Sequence, residues 1–132
     1  MRHRLTLTIA SVLTILLFTV HRADDVARGI DKGGAGAFWA LVVLGVWLHA
    51  ALFLVQRRSG LVIILLPSLL AVGITVLHVR AVGLAGGKFA NPSGVFFWIW
   101  TLLALGVTAT LSIIVAARSR WDLRRSPAPR SA

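Results

Sequence analysis

The chain contains no cysteine, no tyrosine and no glutamate, so its four acidic residues are all aspartates. Without cysteine it can form no disulfide, no thiolate metal site and no cysteine nucleophile. The sequence also lacks a phosphate-binding glycine loop, a nucleophile elbow and any Ser–His–Asp arrangement with supporting spacing. These absences exclude the hydrolase and nucleotide-binding classes that are easiest to recognise from sequence.

Apolar residues dominate what is present. The 132 residues are 58% hydrophobic, whereas a soluble domain is roughly 45–50% apolar. The net charge of +10 would suggest nucleic acid in a soluble domain, but here the bases lie at the ends of apolar segments. We therefore predict a lipid bilayer as the partner, and no nucleic acid.

Four apolar segments account for most of the chain, at about residues 5–21, 38–55, 61–79 and 95–117. A transmembrane helix needs about 20 apolar residues, so the sequence predicts an all-α bundle of four transmembrane helices within a single domain, residues 1–120. A cleaved signal peptide is the alternative for the first segment. Its small-x-small site, "AGA" at 35–37, lies too far beyond the apolar run to favour cleavage.

The basic residues alternate between the loops. Nine lie in the N-terminus, the second loop and the tail, against five in the other two loops. The positive-inside rule then predicts an up-down-up-down bundle with both termini in the cytoplasm. The basic tail, 121–132, is rich in polar residues and is predicted to be disordered. An arginine-rich and alanine-rich composition is typical of a GC-rich bacterial genome, which indicates the bacterial cytoplasmic (inner) membrane.

Small residues mark where transmembrane helices pack, because lipid gives little driving force for apolar association. The fourth segment carries such residues at every fourth position, which predicts one packing stripe; a polar conduction path is the alternative. The stripe consists of Ala104, Thr108, Ser112 and Ala116.

The short second loop predicts that the second and third helices form an antiparallel hairpin.

The stretch "TVHRADDVARG", 19–29, gathers histidine and acidic side chains directly after an apolar run. If the first helix continues through it, Asp24 with Arg28 and His21 with Asp25 are each four residues apart, so they can pair along the helix. Gly29 is a plausible end for that helix. The simplest interpretation is a polar helix cap at the outer interface.

A second interpretation follows from the predicted topology. His78 lies about as far along the third helix as His21 does along the first, so both reach the outer boundary at similar depth. His21, His78, Asp24 and Asp25 then form a candidate site. Imidazole and carboxylate suit a divalent transition metal such as zinc or iron, and two histidines on different helices could instead hold haem b.

His49 lies near the middle of the second segment. A polar group facing lipid is costly, so this histidine is expected to face the bundle interior, and intramembrane ionisable groups are functional candidates. One hypothesis is transport or proton conduction through His49. No acidic residue lies within the segments, unlike the proton-coupled small multidrug exporters, which depend on an intramembrane glutamate.

The pieces "HRADDVARGI", "RRSG" and "SGVFFWIWTLLALGVTA" resemble an uncharacterised family of small bacterial four-helix membrane proteins. The resemblance implies the architecture but no activity. From these patterns we predict a non-enzymatic membrane protein that is an accessory subunit of a larger complex or self-associates, with metal or haem binding and transport as alternatives.

Overall fold

The computed structural model describes residues 2–29, 34–82 and 94–125, and every regular element within them is helical. Each of the four helices is long and apolar enough to cross a membrane. This confirms the predicted all-α chain with four potential spans. The helices are α1 (Arg2–Ala27), α2 (Ala35–Phe53), α3 (Arg58–Val82) and α4 (Val95–Arg125).

Two helices continue beyond the predicted spans. α1 runs through the histidine and aspartates to Ala27, and Gly29 follows with a φ of 71°, a left-handed conformation that glycine adopts without steric cost. α4 continues to Arg125, so the first residues of the predicted disordered tail are helical. Residues 126–132 of that tail lie outside the described residues.

Three helices share a core seam in which inward positions alternate by three and four residues. This spacing is the heptad pattern of a left-handed coiled coil, in which each side chain enters a hole on the facing helix. At one end of the bundle the same spacing continues into polar residues, so the last seam positions are His21 and Asp25 on α1 and His78 on α3. The seam residues are Leu7, Ser11, Thr14, Phe18, His21 and Asp25 on α1; Leu61, Ile64, Ser68, Ala71, Thr75 and His78 on α3; and Trp98, Leu102, Leu105, Ala109, Ser112 and Ala116 on α4.

The most extensive helix interfaces are those of α4 with α1 and with α3. α2 does contact α3, as the short connection predicts, but it packs at the edge of the bundle. It buries Trp47, Ala50 and Ala51, and the hydroxyl of Thr8 donates to the carbonyl of Ala51 at 3.0 Å.

The predicted small-residue stripe of α4 divides between two environments. Ser112 and Ala116 are buried, whereas Ala104 and Thr108 are half-buried, because the core follows the three-and-four alternation and not a strict four-residue row. A further small residue brings α3 and α4 together: a Cβ placed on Gly106 would lie 3.0 Å from Thr75 Cγ2. A role of the stripe in self-association stays a prediction.

Candidate metal centre

The last turns of α1 and α3 meet the first turns of α4 at one end of the bundle. There His21, Asp25 and His78 place one ligand atom each within 4.8 Å of one another. His21 and Asp25 occur four residues apart on α1, so helical periodicity alone sets them on one face. His78 comes from α3, and the seam brings it to the same depth.

The two imidazoles face the same carboxylate oxygen. Asp25 Oδ2 lies 3.7 Å from His21 Nε2 and 3.4 Å from His78 Nε2. The ring centroids of the histidines are 5.5 Å apart. The site is enclosed, since His21 is 2% exposed and Asp25 7% exposed, and His78 is half-buried.

Hydrogen bonds at the other ring nitrogens fix where each neutral imidazole carries its proton. His78 Nδ1 lies 2.9 Å from the carbonyl of Ile74, which can only accept, so Nδ1 carries the proton. Thr101 has one hydroxyl proton, and we assign it to the carbonyl of Trp98 at 3.1 Å; with that assignment His21 Nδ1, 3.1 Å from Thr101 Oγ1, is the donor. Both Nε2 atoms therefore present lone pairs.

Asp25 is held by α4. Its Oδ1 accepts a 2.8 Å hydrogen bond from the indole nitrogen of Trp98, which leaves Oδ2 facing the histidines. The Trp98 ring also contacts both imidazoles, with centroid distances of 5.3 Å to His21 and 5.9 Å to His78. Trp98 and Thr101 thus orient the three candidate ligands without being ligands themselves, as outer-shell partners of metal sites do.

Three acceptor atoms converge in this enclosed space. Buried polar atoms are almost always hydrogen-bonded, yet His21 Nε2 has no hydrogen-bond partner among the described residues. A proton on one Nε2 would let that histidine donate to Asp25 Oδ2, but the lone pair of the other Nε2 would still face the same carboxylate. A cation bound to all three atoms would give both nitrogens a favourable partner.

The spacing fits a small ion better than it fits haem. In a tetrahedral zinc site with bonds of 2.0–2.2 Å, neighbouring ligand atoms are about 3.3 Å apart, close to the 3.4 and 3.7 Å separations observed. A haem held by two histidines lies between their rings. Here Asp25 Oδ2 lies within 3.7 Å of both Nε2 atoms and Trp98 contacts both rings, so this arrangement favours a small ion over the haem b alternative.

Asp24, the other predicted ligand, is directed elsewhere. Its Oδ2 accepts a 2.8 Å hydrogen bond from Arg28 Nε, which confirms the predicted pairing at four-residue spacing. That bond raises the pKa of Arg28 above its ordinary value. Arg28 Nη2 also donates to the carbonyl of Gly94 at 3.2 Å. Asp24 and Arg28 therefore connect the end of α1 to the start of α4 and belong outside the candidate metal centre.

The structure corrects the expectation for His49. Its side chain is exposed on α2 and its ring lies 5.2 Å from that of Phe53. The reason is that α2 turns Trp47, Ala50 and Ala51 toward the bundle, which leaves position 49 on the opposite side. His49 thus does not line the interior, and no relay from it to His21 and His78 follows from the packing.

Trp98 and Thr101 are the site residues that the sequence did not reveal. Trp39 and Trp100 are exposed, as is usual for tryptophan at a membrane interface, whereas Trp98 is fully buried. The three-residue spacing of Trp98 and Thr101 in the first turns of a helix was the available signal.

Comparison with family models, with curated proteins and with solved structures finds no match.

Proposed function

We propose that this chain is a multi-pass membrane protein that binds one divalent transition metal ion through His21, Asp25 and His78. The observation that carries the proposal is the convergence of two imidazole lone pairs and one carboxylate oxygen, with His21 Nε2 unpartnered among the described residues. Neutral imidazole and carboxylate are the ligands that zinc and ferrous iron take from proteins.

Zinc is the best match. The ligand separations of 3.7 and 3.4 Å are close to the edges of a tetrahedron, and all three ligand atoms lie within 4.8 Å of one another. Three protein ligands leave the fourth position for water or another donor. The same two-histidine, one-carboxylate set is used by non-haem iron, which makes iron the principal competitor. The proposal is metal binding; the residues present define no reaction, and the role stays non-enzymatic.

The proposed setting is the bacterial cytoplasmic membrane, with the helices alternating in direction, both termini in the cytoplasm and the metal centre near the outer surface. The support is the excess of arginine in the N-terminus, the second loop and the tail. An accessory or self-associating role is compatible with metal binding. The half-buried Ala104 and Thr108 of the α4 stripe motivate it, and copurification in mild detergent tests it.

The decisive experiment measures metal in protein purified in detergent without chelators, followed by titration of the metal-free protein with zinc and with ferrous iron. We expect about one zinc ion per chain. Asp25→Asn should weaken zinc binding by more than about 100-fold, the upper end of what loss of an outer-shell partner costs, because it removes a ligand while keeping an oxygen for Trp98 to bond.

The matched control is Asp24→Asn, which makes the same chemical change one residue away, at a carboxylate paired with Arg28. This variant should bind zinc as the wild type does. Equal loss in both variants would indicate a non-specific effect of charge. A wild type that takes up neither metal when titrated would refute the proposal and leave the cluster as a polar cap on α1.

A further inference from the structure

The side of α2 that faces away from the bundle carries one ionisable residue. His49 is exposed there, and its ring lies 5.2 Å from that of Phe53. It makes no hydrogen bond with the residues that the structure describes. A neutral imidazole has one N–H donor and one lone-pair acceptor, and a phenyl ring satisfies neither. Ionisable groups at membrane depth almost always meet a polar partner, so we looked for a partner of His49 outside the chain.

The depth of His49 in its helix keeps the imidazole away from water. His49 lies four residues before Phe53, the last residue of α2, and the apolar Leu54 and Val55 follow before Gln56, the next polar residue. Four residues of helix alone span about 6 Å. Helical side chains lean toward the N-terminus of their helix, here away from that boundary. The imidazole therefore stays within the apolar layer.

His49 belongs to a row of exposed residues whose spacing alternates between four and three positions. This is the heptad spacing that lets one helix pack along another, and the core seam of α1, α3 and α4 follows it as well. The row faces away from Trp47 and Ala51, which α2 buries against the bundle. We call it the α2 row, and it consists of Phe38, Val42, Gly45, His49 and Leu52.

Gly45 makes the centre of the α2 row shallow. It lies one turn before His49 and is exposed, and a Cβ placed on it would meet nothing within 4 Å among the described residues. Small residues let the backbones of two membrane helices approach closely. A facing helix can therefore come within reach of the short imidazole side chain, which a bulky residue at position 45 would prevent.

A second copy of the chain is the partner that fits this row. Two copies with the same orientation in the membrane are related by a two-fold axis, which brings each residue of the row close to its own equivalent. His49 of one copy then meets His49 of the other at the same depth. Imidazole both donates and accepts, so it is complementary to itself, and one polar residue in an apolar seam fixes the register of the two helices. A different protein would need a polar group at that depth.

We infer that two copies of this chain associate through the α2 row, with the N–H of one His49 donating to the unprotonated ring nitrogen of the other. This inference places self-association on α2 and not on the small-residue stripe of α4. It rests on the membrane setting of the proposed function but uses no residue of the metal centre. Zinc titration of His49→Leu should therefore match that of the unchanged chain, and either proposal can fail without the other.

Cross-linking through single cysteines tests which side of α2 faces the second copy. The chain has no cysteine, so Val42→Cys and Val43→Cys each introduce one thiol. These adjacent valines are 40% and 44% exposed, but they point about 100° apart on the helix and Val43 lies outside the α2 row. The full chain in phosphatidylcholine vesicles is oxidised with iodine, and disulfide-linked dimer is measured by electrophoresis without reductant. We expect several-fold more dimer from Val42→Cys than from Val43→Cys.

The contribution of the imidazole is measured in the chain that carries Val42→Cys. His49→Leu removes both ring nitrogens and keeps an apolar side chain in the row. The protein-to-lipid ratio that gives half-maximal cross-linking should rise by roughly 3- to 20-fold, which corresponds to the measured range for hydrogen bonds between membrane helices. His49→Asn keeps a donor and an acceptor and should restore most of the cross-linking.

Three results would overturn the inference. Equal cross-linking at positions 42 and 43 means that the chains collide without a preferred face. Cross-linking at position 42 that His49→Leu leaves unchanged means that the imidazole takes no part in association. No cross-linked dimer at position 42 at any protein-to-lipid ratio means that the α2 row faces lipid or a different protein; a dimer still found by size in mild detergent would then assign self-association to another face, such as the α4 stripe.

Discussion

At His21 and His78, the hydrogen bond of one ring nitrogen decides what the other nitrogen can do. Nδ1 of each ring donates, to Thr101 in one case and to the carbonyl of Ile74 in the other, so each Nε2 is left as a base. The carbonyl that His78 uses belongs to its own helix, α3, so helix geometry alone provides it. The hydroxyl that His21 uses comes from α4, which makes Thr101 the more informative residue to change.

Thr101→Val removes that hydroxyl and keeps the branched shape. We expect zinc affinity to fall by about 10–100-fold, the usual cost of losing an outer-shell partner, because nothing then holds the His21 proton at Nδ1. Thr101→Ser, which keeps the hydroxyl, should restore most of the affinity. Titration of the three proteins with zinc measures this, and equal affinities for the valine and serine variants would contradict the positioning role.

Sequence alone reached part of this arrangement at the residue level. Equal distances along their helices predicted that His21 and His78 would meet, and the structure brings them together. The choice between Asp24 and Asp25 was not accessible, because adjacent residues point about 100° apart on a helix and only the position of α4 decides which one faces inward. Trp98 resolves the choice by bonding Asp25.

At the level of the helices, hydropathy predicts that a helix exists and how long it is far better than it predicts which face of the helix points into the bundle. Core-facing and lipid-facing residues are equally apolar in a membrane protein, so Leu105, which is buried, and Val107, which is 70% exposed, look alike in sequence. The same ambiguity placed His49 inside the bundle. The heptad spacing of α1, α3 and α4 becomes visible only when burial is known.

Glycine provides a test of how tightly the elements are joined. Gly60 is buried in the first turn of α3, and a Cβ there would collide with the backbone carbonyl of Leu54, which already accepts the Arg57 N–H at 2.9 Å. Backbone cannot yield as a side chain can. Gly60→Ala should therefore cost about 1–3 kcal/mol of stability, the range for overpacking.

Gly73→Ala is the matched control, because Gly73 lies inside the same helix and an added Cβ would meet nothing within 4 Å. It should be neutral or should stabilise by up to about 1 kcal/mol through helix propensity. Unfolding of detergent-solubilised protein, monitored by circular dichroism, measures both. Equal stability of the two variants would show that the α2–α3 connection is looser than the structure has it.

The proposed function gives the whole molecule one orientation in the membrane, and the absence of cysteine makes that orientation easy to measure. Ser59→Cys places a thiol in the exposed first turn of α3, beside the connection to α2, and Ala35→Cys places one at the exposed start of α2. With arginine-rich segments inside, a membrane-impermeant maleimide applied to intact cells should label position 35 and not position 59.

Both thiols should react after the cells are opened, which controls for burial. The reverse pattern in intact cells would place the termini outside and move the metal centre to the cytoplasmic surface. Labelling of both positions in every cell would indicate a mixture of orientations, which the difference in arginine content between the loops is expected to prevent.

The candidate ligands of the metal centre come earlier in the chain than the residues that position them. His21, Asp25 and His78 are synthesised first. Trp98 and Thr101 follow in the last helix, where they hydrogen-bond the carboxylate and one imidazole. A nascent chain that has inserted three helices thus has every ligand but no defined geometry. Metal occupancy would then mark the chains in which α4 has docked, a chemical record of completed membrane insertion.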